Sequence, residues 1–210
     1  MPRLLPLFPL QLVAFPGVAM PLHIFEPRYR QMVGEAEANG SEFGIVLARD
    51  GGVARAGCTV LVEQVLERFA DGRFDVMTRG QRRFQIQSID EELDYLRGEV
   101  EYFADEDDAP VAARLRSDAV LAWQELQKQT DAEFGGTPPD PDDPLLSFRL
   151  SASLGDLDAQ SSLLLMQSES ERLRQIIRLV PKLVERRSYV TKMHKIGPTN
   201  GHGHKPADAG

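Results

Sequence analysis

The spacing of apolar and polar residues changes period twice along this chain, and the two changes divide it. From Leu4 to Leu10 and from Leu12 to Phe15, apolar residues run in short extended pieces punctuated by Pro6, Pro9 and Pro16, which read as strands and turns. A helix follows. Pro27 takes the first helical position with Glu26 before it, Tyr29, Met32, Val33 and Ala36 fall at i, i+3, i+4 and i+7, and Asn39-Gly40 supplies a left-handed stop. The period then shortens to two. Phe43 to Ala48 reads as a strand, Asp50-Gly51-Gly52 as a turn, Cys58 to Phe69 as a longer strand and Asp71-Gly72 as a hairpin turn. On the return strand Phe74 and Val76 alternate with Arg73, Asp75 and Met77. Gly80 is expected to break that strand, Phe84 and Ile86 resume the alternation, and Tyr95 to Phe103 forms the last strand.

The run Asp105-Glu106-Asp107-Asp108 marks the second change and reads as a solvated linker and helix start. Beyond it, Ala112, Leu115, Ala119, Ala122 and Leu126 form a helical stripe, and Gly135 to Pro144 reads as a mobile loop. Leu145 to Ser153 and Leu157 to Gln167 are two short helices. Ser168 opens a third, with Glu171 as its capping-box partner and a stripe through Leu173, Ile176, Ile177, Val180 and Val184. Pro181 is expected to kink or split that helix. Ile196 to Gly210 has no periodicity and is expected to be disordered. The fold class is therefore α+β. A mostly antiparallel β-rich lobe or small barrel with one or two helices (1–108) precedes a C-terminal helical bundle (109–195) and a tail (196–210), without internal repeats.

Composition narrows the function. The chain has 210 residues and is 42% hydrophobic, enough for a substantial core. Its net charge of -8 argues against gripping phosphates, so nucleic acid is not an expected partner. Cys58 is the only cysteine, which excludes an intramolecular disulfide, and its apolar neighbours place it in the core. Prolines interrupt the N-terminal apolar run, which disfavours a secretory signal, and no stretch approaches the roughly 20 apolar residues of a membrane span. A cytoplasmic protein with no membrane partner is expected.

Recognisable chemistry is missing. There is no Gly-x-x-x-x-Gly-Lys-[Ser/Thr] phosphate loop, no pair of histidines at helical spacing with a glutamate, and no Gly-x-Ser-x-Gly elbow. His202 and His204 are a spaced pair in the tail, weak as metal ligands. The lysines (Lys128, Lys182, Lys192, Lys195 and Lys205) read as helix-surface or tail residues rather than a desolvated catalytic lysine. No catalytic residue, cofactor or metal is assigned, and a non-enzymatic protein is expected.

One set of segments carries more information. Leu5-Pro6-Leu7-Phe8-Pro9-Leu10, Phe15-Pro16-Gly17 and Pro21-Leu22-His23-Ile24-Phe25-Glu26-Pro27-Arg28-Tyr29 resemble the N-terminal domain of Lon proteases. Phe43-Gly44-Ile45-Val46, Asp71-Gly72-Arg73, Gly80-Gln81-Arg82-Arg83-Phe84 and Tyr95 to Val100 follow in register, as do Phe148 to Leu154 and Glu171-Arg172-Leu173. The resemblance implies a PUA-like β lobe followed by a helical bundle. It also implies a role in selecting protein substrates, without Lon's ATPase and serine-lysine protease modules. The partners it implies are unfolded or apolar polypeptide segments, and Lon or another protease. RNA binding, which other PUA-like barrels perform, is the alternative.

Within those segments, Phe25 and Tyr29 are expected to pack into the core and Arg28 to pair with an acid or a carbonyl. Arg82 and Arg83 point to opposite sides, so one faces solvent. Phe25, Arg28, Tyr29, Arg82 and Arg83 are the candidate peptide-binding residues, since arginines beside aromatics can hold an extended peptide by pocket filling or strand addition.

Overall fold

A computed structural model describes residues 4–106, 110–128 and 137–196, with the backbone alone beyond Tyr189. The first lobe holds β1 (Leu5–Leu10), β2 (Ala19–Ile24), α1 (Pro27–Asn39), β3 (Phe43–Arg49), β4 (Gly52–Arg68), β5 (Phe74–Asp90) and β6 (Arg97–Phe103). The second holds α2 (Ala113–Gln127), α3 (Leu146–Ala152), α4 (Leu157–Leu165) and α5 (Glu169–Ile196). Expectations for 197–210, including His202 and His204, fall outside the described residues, as do Asp107, Asp108 and Gly135.

The sheet closes on itself. β1 pairs with β3 in parallel, and the β3–β4, β4–β5, β5–β6 and β6–β1 pairs are antiparallel, giving a closed ring of strands. β2 is added outside that ring, along the first half of β5. Closure removes most open edges, which suits a small β lobe that must stay unaggregated.

Helix α1 forms where its pattern places it. Pro27 is at its start, Gly40 ends it at φ 58°, and its buried residues are Tyr29, Met32, Val33 and Ala36. Three readings of the β lobe change. Leu12 to Phe15 is not a strand, and Ala19–Ile24 is one; Pro21 is tolerated there because β2 has a single strand neighbour among the described residues. Gly80 does not break β5. Backbone packs against it instead: Gly80 N donates to Val18 O at 3.0 Å, Gly17 N donates to Gly80 O at 2.9 Å, and a Cβ at Gly80 would lie 2.0 Å from Phe15 O.

In the helical lobe, Ser168 Oγ accepts from Glu171 N at 3.2 Å, so the cap forms as its sequence suggests. Helix α5 runs through Pro181 without splitting; the missing amide costs one bond to the carbonyl a turn earlier, and packing of Ile176, Val180 and Leu183 holds both sides. The part of the proline-rich loop within the described residues is tethered, since Arg116 Nη1 donates to Pro141 O and Asp143 O.

Helices α3 and α4 contribute to the cores of both lobes. Phe148 and Leu164 belong to the barrel's apolar cluster, while Leu146 and Leu150, on the same short helix as Phe148, join Trp123, Leu126, Leu173 and Ile176 in the helical one.

Candidate polypeptide-binding clefts

The candidate residues separate into two places. Phe25, Arg28 and Tyr29 lie at the β2–α1 junction and border a cleft of about 390 Å³, together with Phe8, Pro9 and Leu10 of β1, His23 and Leu96. Phe25 is 58% exposed, contrary to its expected place in the core. Strand alternation is the reason: Ile24 is buried, so its neighbour points out. The His23 ring stacks on Phe25 at 5.9 Å and its Nδ1 donates to Asp75 Oδ1 at 2.5 Å. Tyr29 forms the floor, buried with its ring 4.1 Å from Phe8, and burial raises its phenol pKa. Arg28 lies 4.6 Å over the Tyr29 ring, donates Nε to Glu26 at 3.0 Å and reaches Asp94 O at 3.5 Å, as an arginine paired with an acid and a carbonyl should.

Arg82 and Arg83 sit elsewhere, and on opposite sides of β5. Arg82 stacks on the 42%-exposed Tyr102 at 3.9 Å and donates to Glu42. The stacked pair borders a second, more apolar cleft of about 450 Å³ at the lobe junction, walled by Pro16, Phe103 and Phe148. Arg83 is at the base of that cleft but only 3% exposed, so it is a poor candidate for direct ligand contact. Its Nη1 donates to Leu164 O at 3.0 Å and Met166 O at 2.5 Å, where the C-terminus of α4 leaves carbonyls unpaired, and its Nη2 donates to Asp105 at 2.6 Å.

Asp105 is therefore not part of a solvated linker. It joins Arg83 of the barrel to Arg172 of α5, which is fully buried. All five Arg172 donors are used: Nε by Ser147 Oγ at 2.8 Å, Nη1 by Asp105 Oδ1 and Met166 O at 2.7 Å each, and Nη2 by Asp105 Oδ2 and Glu169 Oε2. Glu169 also accepts from Ser147 N at 3.1 Å. The Phe148 ring packs against both guanidiniums, at 5.2 Å from Arg83 and 4.2 Å from Arg172. Two cations and two anions balance, which is what makes such burial tolerable. Burial alone would raise the Asp105 carboxyl; hydrogen bonds and charge from Arg172 and Arg83 outweigh it and hold the carboxyl below its ordinary value. No spacing rule joins residues 83, 105, 147, 169 and 172, so this cluster had no signal in the sequence. Phe8, His23 and Leu96 escaped for the same reason, whereas the outward turn of Phe25 follows from alternation with Ile24.

A barrel and a helical bundle whose apolar clusters meet through α3 and α4, with clefts on the surface, define a two-lobed α+β domain. The chain belongs to the ATP-dependent protease La (LON) substrate-binding domain family, which it matches over residues 4–182. It is similar to the Lon N-terminal domain protein from Xanthomonas campestris, with 28% identity and a TM-score of 0.65 over 84% of this chain and 98% of that one. The N-terminal domain of Mycobacterium avium complex Lon protease shares the fold at 19% identity and a TM-score of 0.60, over 85% of this chain and 98% of that one. Lon proteases of Parabacteroides distasonis (30% identical over 48% of this chain) and Flavobacterium johnsoniae (27% over 61%) also match. The matched stretches span 13% and 17% of those proteases' length.

Proposed function

We propose that this protein is a non-enzymatic polypeptide-binding module that holds unfolded or exposed apolar segments, serving as an adaptor or regulator of proteolysis in the cytoplasm. Lon or another protease is the partner this reading favours. One observation carries it: in a family of substrate-binding domains, this chain keeps a large aromatic ring, Phe25, exposed at the mouth of a cleft floored by Phe8 and Tyr29. A soluble domain exposes such a ring beside a groove at a cost in solubility, and a ligand that covers it recovers that cost.

The test compares binding of a reduced, permanently unfolded model protein by the wild type and by Phe25→Ser. The substitution leaves the core intact, because the ring is mostly in water. Retained folding with binding weakened about tenfold is expected, the value of burying one aromatic. Wild-type binding no stronger than that of an inert acidic control protein overturns the proposal.

A further inference from the structure

The cleft beside Phe25 lies in a seam of the barrel. β1 pairs with β6 through Leu5 and Pro6, and Leu7 N donates to Leu96 O at 2.8 Å. Past Leu7 that edge of β1 has no strand beside it among the described residues, and the outer edge of β2 is equally open. An open edge normally invites an extended peptide to add as a further strand. Here a proline interrupts the row of amides on each edge. The polar groups of Leu7 face β6, so alternation turns those of Phe8 toward β3 and those of Pro9 into the seam. On β2 the carbonyls of Val18 and Met20 accept from Gly80 N and Thr78 Oγ1 of β5, so the next residue outward is Pro21. Each edge therefore presents a proline at one position where a ligand backbone would seek an N–H, which interrupts any ladder there.

The seam is also charged. Leu96 lines it at the end of the exposed loop carrying Glu91, Glu92 and Asp94, whose Asp94 carbonyl lies 3.5 Å from Arg28; Glu26 also lines it, and Asp75 is bonded to His23. Two guanidiniums, Arg28 and Arg97, oppose these carboxylates and Asp90. Arg30 and Arg73 are committed to Asp71 in the β4–β5 turn.

Resting on the polypeptide-binding reading, we infer that this cleft recognises an aromatic side chain flanked by lysine or arginine, by side-chain insertion and not by strand addition. The ring enters between Phe8, Phe25 and Tyr29, the basic neighbour meets the exposed acidic loop Glu91–Asp94 that leads into Leu96, and the ligand backbone stays outside the hydrogen-bonding ladder.

Fluorescence anisotropy with the full chain tests this using short labelled peptides. One carries a central tryptophan flanked by lysines; the others replace the lysines by glutamates, the tryptophan by glycine, or methylate alternate backbone amides. The lysine peptide should bind, and the glycine version should lose binding. The N-methylated version should stay within about twofold, since no backbone bond is lost. The glutamate version should be weaker by about two- to fivefold per charge, a difference that shrinks as salt rises. Binding by the lysine peptide that disappears on N-methylation, or that is indifferent to the flanking charge, overturns this inference while leaving polypeptide binding intact. No binding by any peptide, together with no binding of the unfolded protein, overturns both.

Discussion

Replacing Asp105 by asparagine keeps the side chain's shape and removes its charge. In the wild type that carboxylate accepts from Arg83 Nη2 and from both Arg172 Nη groups. Without it, two guanidiniums that are 3% and 0% exposed retain Glu169 as their one carboxylate partner, a net buried cation. Removing one partner of a buried charge set costs about 3–5 kcal/mol, and at about 2–4 °C per kcal/mol for a chain of this size Tm should fall by about 6–20 °C. The lone tryptophan, Trp123, is buried in α2 and gives a fluorescence probe of the helical lobe, with far-ultraviolet circular dichroism as the second probe. Asp118→Asn is the control, because its pair with Arg114 spans 3.7 Å on an exposed surface and should shift Tm hardly at all. The arginines lower the folded pKa of Asp105, so its contribution is fully present above the unfolded value of about 4 and is lost as pH falls through the lowered folded value. The gap between wild type and Asp105→Asn should thus be constant from about pH 5 to 8 and close in more acid solution. A Tm within about 2 °C of wild type, or no lower than that of Asp118→Asn, refutes the claim that this cluster holds the lobes together.

Two glycines should respond in opposite directions. Gly80→Ala drives a methyl into Phe15 O and should destabilise by about 2 kcal/mol or more, whereas Gly34→Ala, in the middle of α1 with open space around it, should stabilise by about 0.5–1 kcal/mol; urea denaturation measures both. Cys58 should resist alkylation in the folded protein at pH 8, since burial pushes its thiol pKa up to about 12, and should react at a normal rate once urea unfolds the chain.

What the sequence made legible was local. Pro27, the Tyr29-Met32-Val33-Ala36 stripe and Gly40 define α1 within a few residues of one another, and Ser168 and Glu171 announce α5 in the same way. Two of the readings that changed depend on distant partners. Gly80 looks like a strand breaker until Phe15 and Pro16 are seen against it, and Asp105 looks like linker until Arg83 and Arg172 arrive from either side. Of the five candidate binding residues, Phe25, Arg28 and Tyr29 share a cleft because they adjoin in sequence; Arg82 and Arg83, neighbours as well, are divided by strand alternation into a surface residue and a buried one.

The closure of the barrel also sets an order of events as the chain folds. β1 is made first, yet its partners are β3 and β6, and β6 ends at Phe103, so the ring cannot close until nearly half the chain exists. Pairings of such sequence separation are slow to form, because the loop between them must be ordered before any contact rewards it. The strand waiting longest is the one whose Pro9 faces the seam. A residue that offers a pairing strand no amide also gives wrong partners less to hold while β1 waits for β6.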